Sequence, residues 1–91
     1  MKNKIAILGS TGSIGKNLLD IVKKEENFEI SLLTGHKNHK TLLKQAKKFN
    51  VKNIIITNQN CFRILKSKTK GSSIKVYDNF EILGKIFKKK N

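Results

Sequence analysis

Three evenly spaced glycines separate the first predicted strand from the first predicted helix. Gly9, Gly12 and Gly15 give the pattern G-x-x-G-x-x-G. At this position of an α/β domain a glycine-rich turn binds the pyrophosphate of a dinucleotide, because the free N–H groups at the helix start face the phosphate. Gly9 would permit the tight turn, Gly12 the approach of backbone to phosphate, and Gly15 the close packing of the helix against the sheet. The alternative is a purely structural turn that caps the helix, since the usual spacing is G-x-G-x-x-G.

The hydroxyl side chains of this turn are compatible both with pyrophosphate binding and with a structural turn that caps the helix. Ser10, Thr11 and Ser13 are each placed to cap the first helical turn. Their hydroxyl groups are also expected to face a bound anion, with the helix dipole behind them.

The end of the second predicted strand bears on the choice of dinucleotide. Domains that bind NAD place Asp or Glu there to accept a hydrogen bond from the ribose 2′-hydroxyl. This chain has Gly35, His36, Lys37 and Asn38 at that point, and Glu29 lies at the other end of the strand. A lysine beside the ribose suits a 2′-phosphate, so the sequence favours NADP(H) over NAD(H).

Strand and helix patterns alternate along the whole chain. The apolar runs Lys4–Leu8, Phe28–Leu33, Asn53–Thr57 and Ile74–Tyr77 predict four strands. Helices are predicted over about 14–24, 39–49 and 59–69, and after Asp78, which would cap the last one. Such alternation is typical of β-α-β units, so we predict an α/β, Rossmann-like parallel sheet with flanking helices.

The helical periodicity also predicts which side chains face the core. The inward residues would be Ile14, Leu18, Ile21 and Val22; Leu42, Leu43, Ala46 and Phe49; Phe62 and Leu65; and Ile82, Leu83, Ile86 and Phe87.

Composition limits the classes of protein that the chain can represent. Ninety-one residues suffice for one small domain, and the apolar runs of about four residues are too short to span a membrane. The net charge of +14 admits a nucleic-acid-binding protein, but Arg63 is the only arginine, and arginine is the residue suited to phosphates and guanine edges. The single cysteine, Cys61, is expected to fill apolar space, and its inability to form an internal disulfide suggests the cytoplasm.

No metal centre or catalytic group is predicted from these residues. His36 and His39 are three positions apart, but no Cys, Asp or Glu close by in the sequence supplies a third ligand. The six acidic residues are scattered along the chain.

The segment Lys4–Asn17 resembles the start of the 1-deoxy-D-xylulose 5-phosphate reductoisomerase family. The similarity continues through Leu19–Val22, Phe28–Ile30, Leu32–Thr34, Lys37–Asn38 and Gln45–Phe49, and covers about residues 2–87. It implies an NADPH-dependent enzyme of the non-mevalonate isoprenoid pathway, which converts 1-deoxy-D-xylulose 5-phosphate to 2-C-methyl-D-erythritol 4-phosphate.

The resemblance also implies particular roles for residues of this chain. Thr11, Gly12, Ser13 and Ile14 would contact the phosphates and adjoining groups of NADPH, flanked by Gly9 and Gly15, and Lys37 and Asn38 would contact its adenosine side. The family usually has glycine before the Lys-Asn pair, where this chain has His36.

The same resemblance places the rest of the enzyme outside this sequence. Family members are several times longer, and their Mg or Mn ligands, sugar-phosphate site and mobile lid would lie beyond the matched region. The resemblance also suggests a homodimer for the full-length enzyme. We therefore expect residues 1–91 to be an N-terminal NADPH-binding domain that is incomplete at its C-terminal end. Because the first strand is central in doubly wound sheets, its outer side and the adjoining apolar surface would be exposed. The open alternatives are a freestanding NADP-binding regulatory module and a basic nucleic-acid-binding protein.

Overall fold

Each strand of the sheet pairs in parallel with the strand that follows it in the chain. A computed structural model describes residues 3–86. Its strands are β1 (Asn3–Ile7), β2 (Phe28–Gly35), β3 (Asn53–Ile56) and β4 (Lys75–Tyr77). Its helices are α1 (Ser13–Val22), α2 (His39–Lys48), α3 (Gln59–Lys68) and α4 (Leu83–Ile86), the last preceded by a 3₁₀ turn at Phe80–Ile82. The predicted α/β, Rossmann-like fold is confirmed.

The strand order is β1-β2-β3-β4, so chain order and spatial order coincide. The strands meet in register at pairs such as Leu33 with Ile54 and Ile54 with Val76. Because all four run in the same direction, their carboxyl ends lie along one edge, where ligands bind in open α/β sheets. Within residues 3–86, β1 pairs only with β2 and forms one side of the sheet.

Three helices and the sheet share one hydrophobic core. Leu33, Ile54 and Ile56 of the central strands are fully buried there. The helices contribute Leu19, Leu42, Ala46 and Leu65 to the same cluster. The helices share one core because each strand is added on the same side of the one before it. With this order, right-handed crossovers place all three connecting helices on one face of the sheet.

Helix α1 turns a different face to the core from the one predicted. Gly15 and Leu19 are its buried residues, and Val22 is half-buried against the core as predicted, whereas Ile14, Leu18 and Ile21 are 76%, 43% and 61% exposed. The two sets differ by one position, which is a rotation of about 100° around the helix. The prediction was wrong for Ile14, Leu18 and Ile21 because α1 packs at the side of the described sheet, where β1 has no further neighbour to cover the second apolar face.

The predicted capping residues were also wrong at two helices. The N-cap of α1 is Gly12, and no side chain caps it. At the last helical segment the capping side chain is Asn79, which accepts a hydrogen bond from the Glu81 amide at 2.9 Å, and not Asp78. Ile82 and Leu83, which were predicted to face inward, are half-buried, and the predicted inward side chains of Ile86 and Phe87 lie outside what the structure describes.

Candidate functional site: the glycine turn and the end of β2

Strand β2 holds the first two residues of the glycine turn by hydrogen bonds. The Gly9 amide donates to the Thr34 Oγ1 at 2.8 Å, and the Ser10 amide donates to the Thr34 carbonyl oxygen at 2.9 Å. Gly9 has a φ of 66°, in the left-handed region that glycine adopts without strain. The chain therefore leaves β1 through a tight turn that is fixed to the carboxyl end of β2.

Gly15 allows α1 to approach this turn closely. A Cβ atom at Gly15 would collide with the Gly9 carbonyl oxygen and lie 2.5 Å from the Ser10 Cα. The close approach predicted for Gly15 is present, but its partner is the backbone of the turn rather than the sheet.

Gly12 is in an open position by comparison. Its φ of −79° and ψ of 173° are accessible to any residue, and the nearest atom to an added Cβ is the Gly9 carbonyl oxygen at 3.5 Å. The amides of Ser13 and Ile14 follow in the first turn, where backbone N–H groups have no intrahelical acceptor. Because no side chain caps α1, these amides are available to a ligand.

The Ser10 hydroxyl does not face the ligand side, contrary to the expectation for the turn's hydroxyl groups. Ser10 is fully buried, and its Oγ donates to the Gln45 Oε1 at 2.8 Å. The Gln45 Nε2 in turn donates to the Ser10 carbonyl oxygen at 2.9 Å. Sequence reasoning missed Gln45, although a polar residue between the inward positions Leu42 and Ala46 was a visible signal.

The end of β2 lies next to the glycine turn. The Thr11 side chain is half-buried, and its methyl and hydroxyl groups lie 3.7 Å from where a Gly35 Cβ would be. Lys37 and Asn38 follow in the chain, and both are exposed. The structure thus brings the two predicted groups of residues to the same edge of the sheet.

The link between β3 and α3, together with Cys61 of α3, fixes the backbone path of the segment that follows β2. The Thr57 and Asn58 amides donate to the carbonyl oxygens of Gly35 and His36 at 3.2 and 3.1 Å. The His36 Nδ1 lies 2.6 Å from the Thr57 Oγ1, and the Cys61 Sγ donates to the Lys37 carbonyl oxygen at 3.2 Å. Cys61 is partly buried against the core, as predicted for a small apolar residue, but it also holds the Lys37 backbone.

The described residues form neither a metal site nor a membrane-spanning helix. Over residues 3–86, no three His, Cys, Asp or Glu side chains come close enough together to hold a metal ion. Nor does any helix in this range have the length and apolar character needed to cross a membrane.

Comparison with known proteins identifies the family. The profile of 1-deoxy-D-xylulose 5-phosphate reductoisomerase matches residues 5–91. The chain belongs to the 1-deoxy-D-xylulose 5-phosphate reductoisomerase family. The reductoisomerase of Pelagibacter ubique is 54% identical over 89 residues, which are 97% of this chain and 23% of that protein. The Agrobacterium fabrum reductoisomerase is 42% identical over 79 residues, covering 84% of this chain and 20% of its own length.

Two solved reductoisomerase structures share the fold. The Zymomonas mobilis enzyme in complex with NADPH aligns with a TM-score of 0.77 and 31% identity, over 85% of this chain and 21% of its own. A reductoisomerase in complex with NADPH, fosmidomycin and magnesium gives a TM-score of 0.79 and 31% identity, over 94% of this chain and 21% of its own. The chain thus spans less than a quarter of the length of these relatives.

Proposed function

We propose that this chain binds NADPH across the carboxyl ends of β1 and β2. The observation that carries the proposal is the uncapped start of α1, which lies beside a glycine turn fixed to β2 and next to an exposed Lys-Asn pair. Solved reductoisomerases that share this fold hold NADPH. When bound, NADPH supplies the hydride for a reduction.

The glycine turn would hold the pyrophosphate. The backbone amides of Thr11, Ser13 and Ile14 would donate to phosphate oxygens, and the exposed Ser13 hydroxyl would add a further donor. Gly12 would let the phosphate approach the backbone, since any other residue would place a Cβ atom in the space that the phosphate needs. Gly9 and Gly15 would act indirectly by setting the shape of the turn.

The end of β2 would hold the adenosine side. The Lys37 ammonium group would pair with the 2′-phosphate, and the Asn38 side chain, which makes no capping bond to α2, would be free to contact the ribose or its phosphate. The contacts of Thr57, Asn58 and Cys61 would keep this segment in place despite its exposure. This arrangement would favour NADPH over NADH, because His36, Lys37 and Asn38, which follow β2, include no carboxylate to accept from a free 2′-hydroxyl.

We further propose that residues 1–91 are the N-terminal dinucleotide-binding part of a longer reductoisomerase. The free side of β1 and the exposed residues Ile14, Leu18 and Ile21 would be covered by the rest of that sheet. The complete enzyme would convert 1-deoxy-D-xylulose 5-phosphate in the cytoplasm, as a homodimer, with its substrate and Mg or Mn site outside these residues.

Titration with NADPH, followed by its fluorescence, tests the proposal. We expect saturable binding that is lost in Gly12→Val, because the added side chain would fill the phosphate position while the backbone angles remain allowed. Gly84→Val is the matched control, since an added Cβ there meets nothing within 4 Å. Binding of duplex DNA that weakens with salt, without any NADPH effect, would contradict the proposal and support the nucleic-acid alternative.

A further inference from the structure

A buried polar pair connects the glycine turn to the middle of helix α2. The Ser10 Oγ donates to the Gln45 Oε1 at 2.8 Å, and the Gln45 Nε2 donates back to the Ser10 carbonyl oxygen at 2.9 Å. Ser10 is fully buried and Gln45 is 9% exposed. The two residues are 35 positions apart in the chain, so only the tertiary fold brings them together.

The position of Gln45 is unfavourable for a side-chain amide unless its hydrogen bonds are made. Its neighbours on the inner face of α2 are Leu42 and Ala46, both buried. Burying an amide without partners costs free energy that an apolar side chain of similar size would avoid. Gln45 offsets this cost through its two hydrogen bonds to Ser10, one of which is to the Ser10 carbonyl oxygen. We infer that the orientation of the Ser10–Thr11 peptide group is important for the site.

Peptide geometry shows what that orientation controls. The Ser10 carbonyl and the Thr11 amide belong to one planar trans peptide, so they point in opposite directions. Because Gln45 holds the Ser10 carbonyl toward α2, the Thr11 N–H must point away from α2. The preceding amides, of Gly9 and Ser10, are already occupied by Thr34.

We propose that Gln45 is a positioning residue that aims the Thr11 amide at the dinucleotide phosphate without touching the cofactor. This inference rests on the proposed function. Gln45 fixes the peptide group that carries the Thr11 amide. The Gly12 amide donates to the Gly9 carbonyl oxygen at 3.0 Å, so the amides of Thr11, Ser13 and Ile14 are the ones left for the ligand. Thr34 and Gln45 thereby hold the turn from two sides, from β2 and from α2.

Gln45→Met is the variant that tests this role, because methionine keeps the length and helical preference of the side chain but makes neither hydrogen bond. We expect NADPH to bind about tenfold more weakly, which corresponds to about 1.4 kcal/mol. Adenosine 2′-monophosphate, which lacks the pyrophosphate and would contact only the end of β2, should bind the variant and the parent equally. A residue important only for stability would not separate these two ligands.

Two variants serve as controls. Thr69→Val removes another buried hydrogen bond, from the Thr69 Oγ1 to the Leu65 carbonyl oxygen at 2.8 Å, at the end of α3. It should lower the melting temperature without changing the affinity for NADPH. Ser10→Ala removes the hydroxyl but keeps the bond from Gln45 to the Ser10 carbonyl, so it should change NADPH affinity by less than about threefold, well below the tenfold loss expected when the carbonyl bond is lost.

Amide hydrogen exchange gives a readout that does not depend on cofactor. In Gln45→Met, the Gly9 and Ser10 amides should exchange faster relative to those of β3. The parent chain could fail to bind NADPH while the Gly9 and Ser10 amides still exchange faster in Gln45→Met. That result would overturn the proposed function but would support the anchoring of the glycine turn by Gln45. Unchanged exchange together with unchanged NADPH affinity would overturn the role of Gln45. So would failure of both Gln45→Met and Gln45→Leu to fold while Thr69→Val folds, because Gln45 would then act through stability alone.

Discussion

The contrast between Gly15 and Gly12 gives the sharpest test of the site's geometry. Gly12→Ala and Gly15→Ala add the same methyl group three residues apart. At Gly12 the methyl carbon would lie 3.5 Å from the Gly9 carbonyl oxygen, an ordinary contact. At Gly15 it would lie 2.5 Å from the Ser10 Cα and 2.9 Å from the Ser10 carbonyl carbon, both backbone atoms.

The structure sets the size of the expected effect. Relief of the clash requires α1 and the turn to separate by about 1 Å, since ordinary contacts begin at 3.4 Å. Forcing extra volume into a packed site costs about 1–3 kcal/mol, and replacing a helical glycine with alanine returns about 1 kcal/mol. The turn cannot recede freely because its amides are bonded to Thr34, so the cost should lie in the upper part of that range, at about 2–3 kcal/mol. After the gain from alanine, we expect Gly15→Ala to lose about 1–2 kcal/mol.

Thermal unfolding followed by far-UV circular dichroism measures this loss. A change of 1 kcal/mol shifts the melting temperature of a domain this size by about 4–8 °C, so Gly15→Ala should melt about 5–15 °C below the parent chain. Gly12→Ala should melt within about 3 °C of it, because its backbone angles are allowed for alanine. Equal melting temperatures for the two variants would refute the close approach of α1 to the turn.

Three further predictions address the cofactor, the exposed helix face and activity. Lys37→Ala should reduce the preference for NADPH over NADH by about tenfold, because a charge-assisted contact to the 2′-phosphate is lost; an unchanged ratio of the two dissociation constants would show that Lys37 does not read the 2′-phosphate. Ile21→Lys should change the stability of this chain by less than about 0.5 kcal/mol, since Ile21 is 61% exposed; a large loss in urea unfolding would show that this face of α1 is packed. The 91 residues alone should not oxidise NADPH when given 1-deoxy-D-xylulose 5-phosphate and Mg²⁺ or Mn²⁺, because holding and orienting the substrate supplies about 7–11 kcal/mol of the barrier; turnover by purified protein above background would require a catalytic site within this chain.

Local patterns were sufficient to predict most of the architecture. The β-branched run Asn53–Ile56 and the apolar positions of α2 were assigned correctly, because strand and helix periodicity depend on residues only a few positions apart. Three of the four positions predicted to face inward on α1 were assigned wrongly, since this helix carries two apolar stripes one position apart. Periodicity cannot choose between them, and the choice follows from which side of the helix the sheet covers.

The sequence by itself determined the alternating elements, the place of the glycine turn between β1 and α1, and the Lys-Asn pair after β2. These features depend on the conformational freedom of glycine and on short-range periodicity, which act locally along the chain. Only the tertiary structure decided that the Ser10 hydroxyl faces Gln45 instead of a ligand, that Gly15 packs against the turn, and that Thr57 and Cys61 fix the backbone of Lys37's segment. The physical reason is that these contacts join residues between 21 and 35 positions apart, or depend on the exact approach of α1 to the turn. Such distances are set by the packing of the whole sheet, and no local pattern of residue types encodes them.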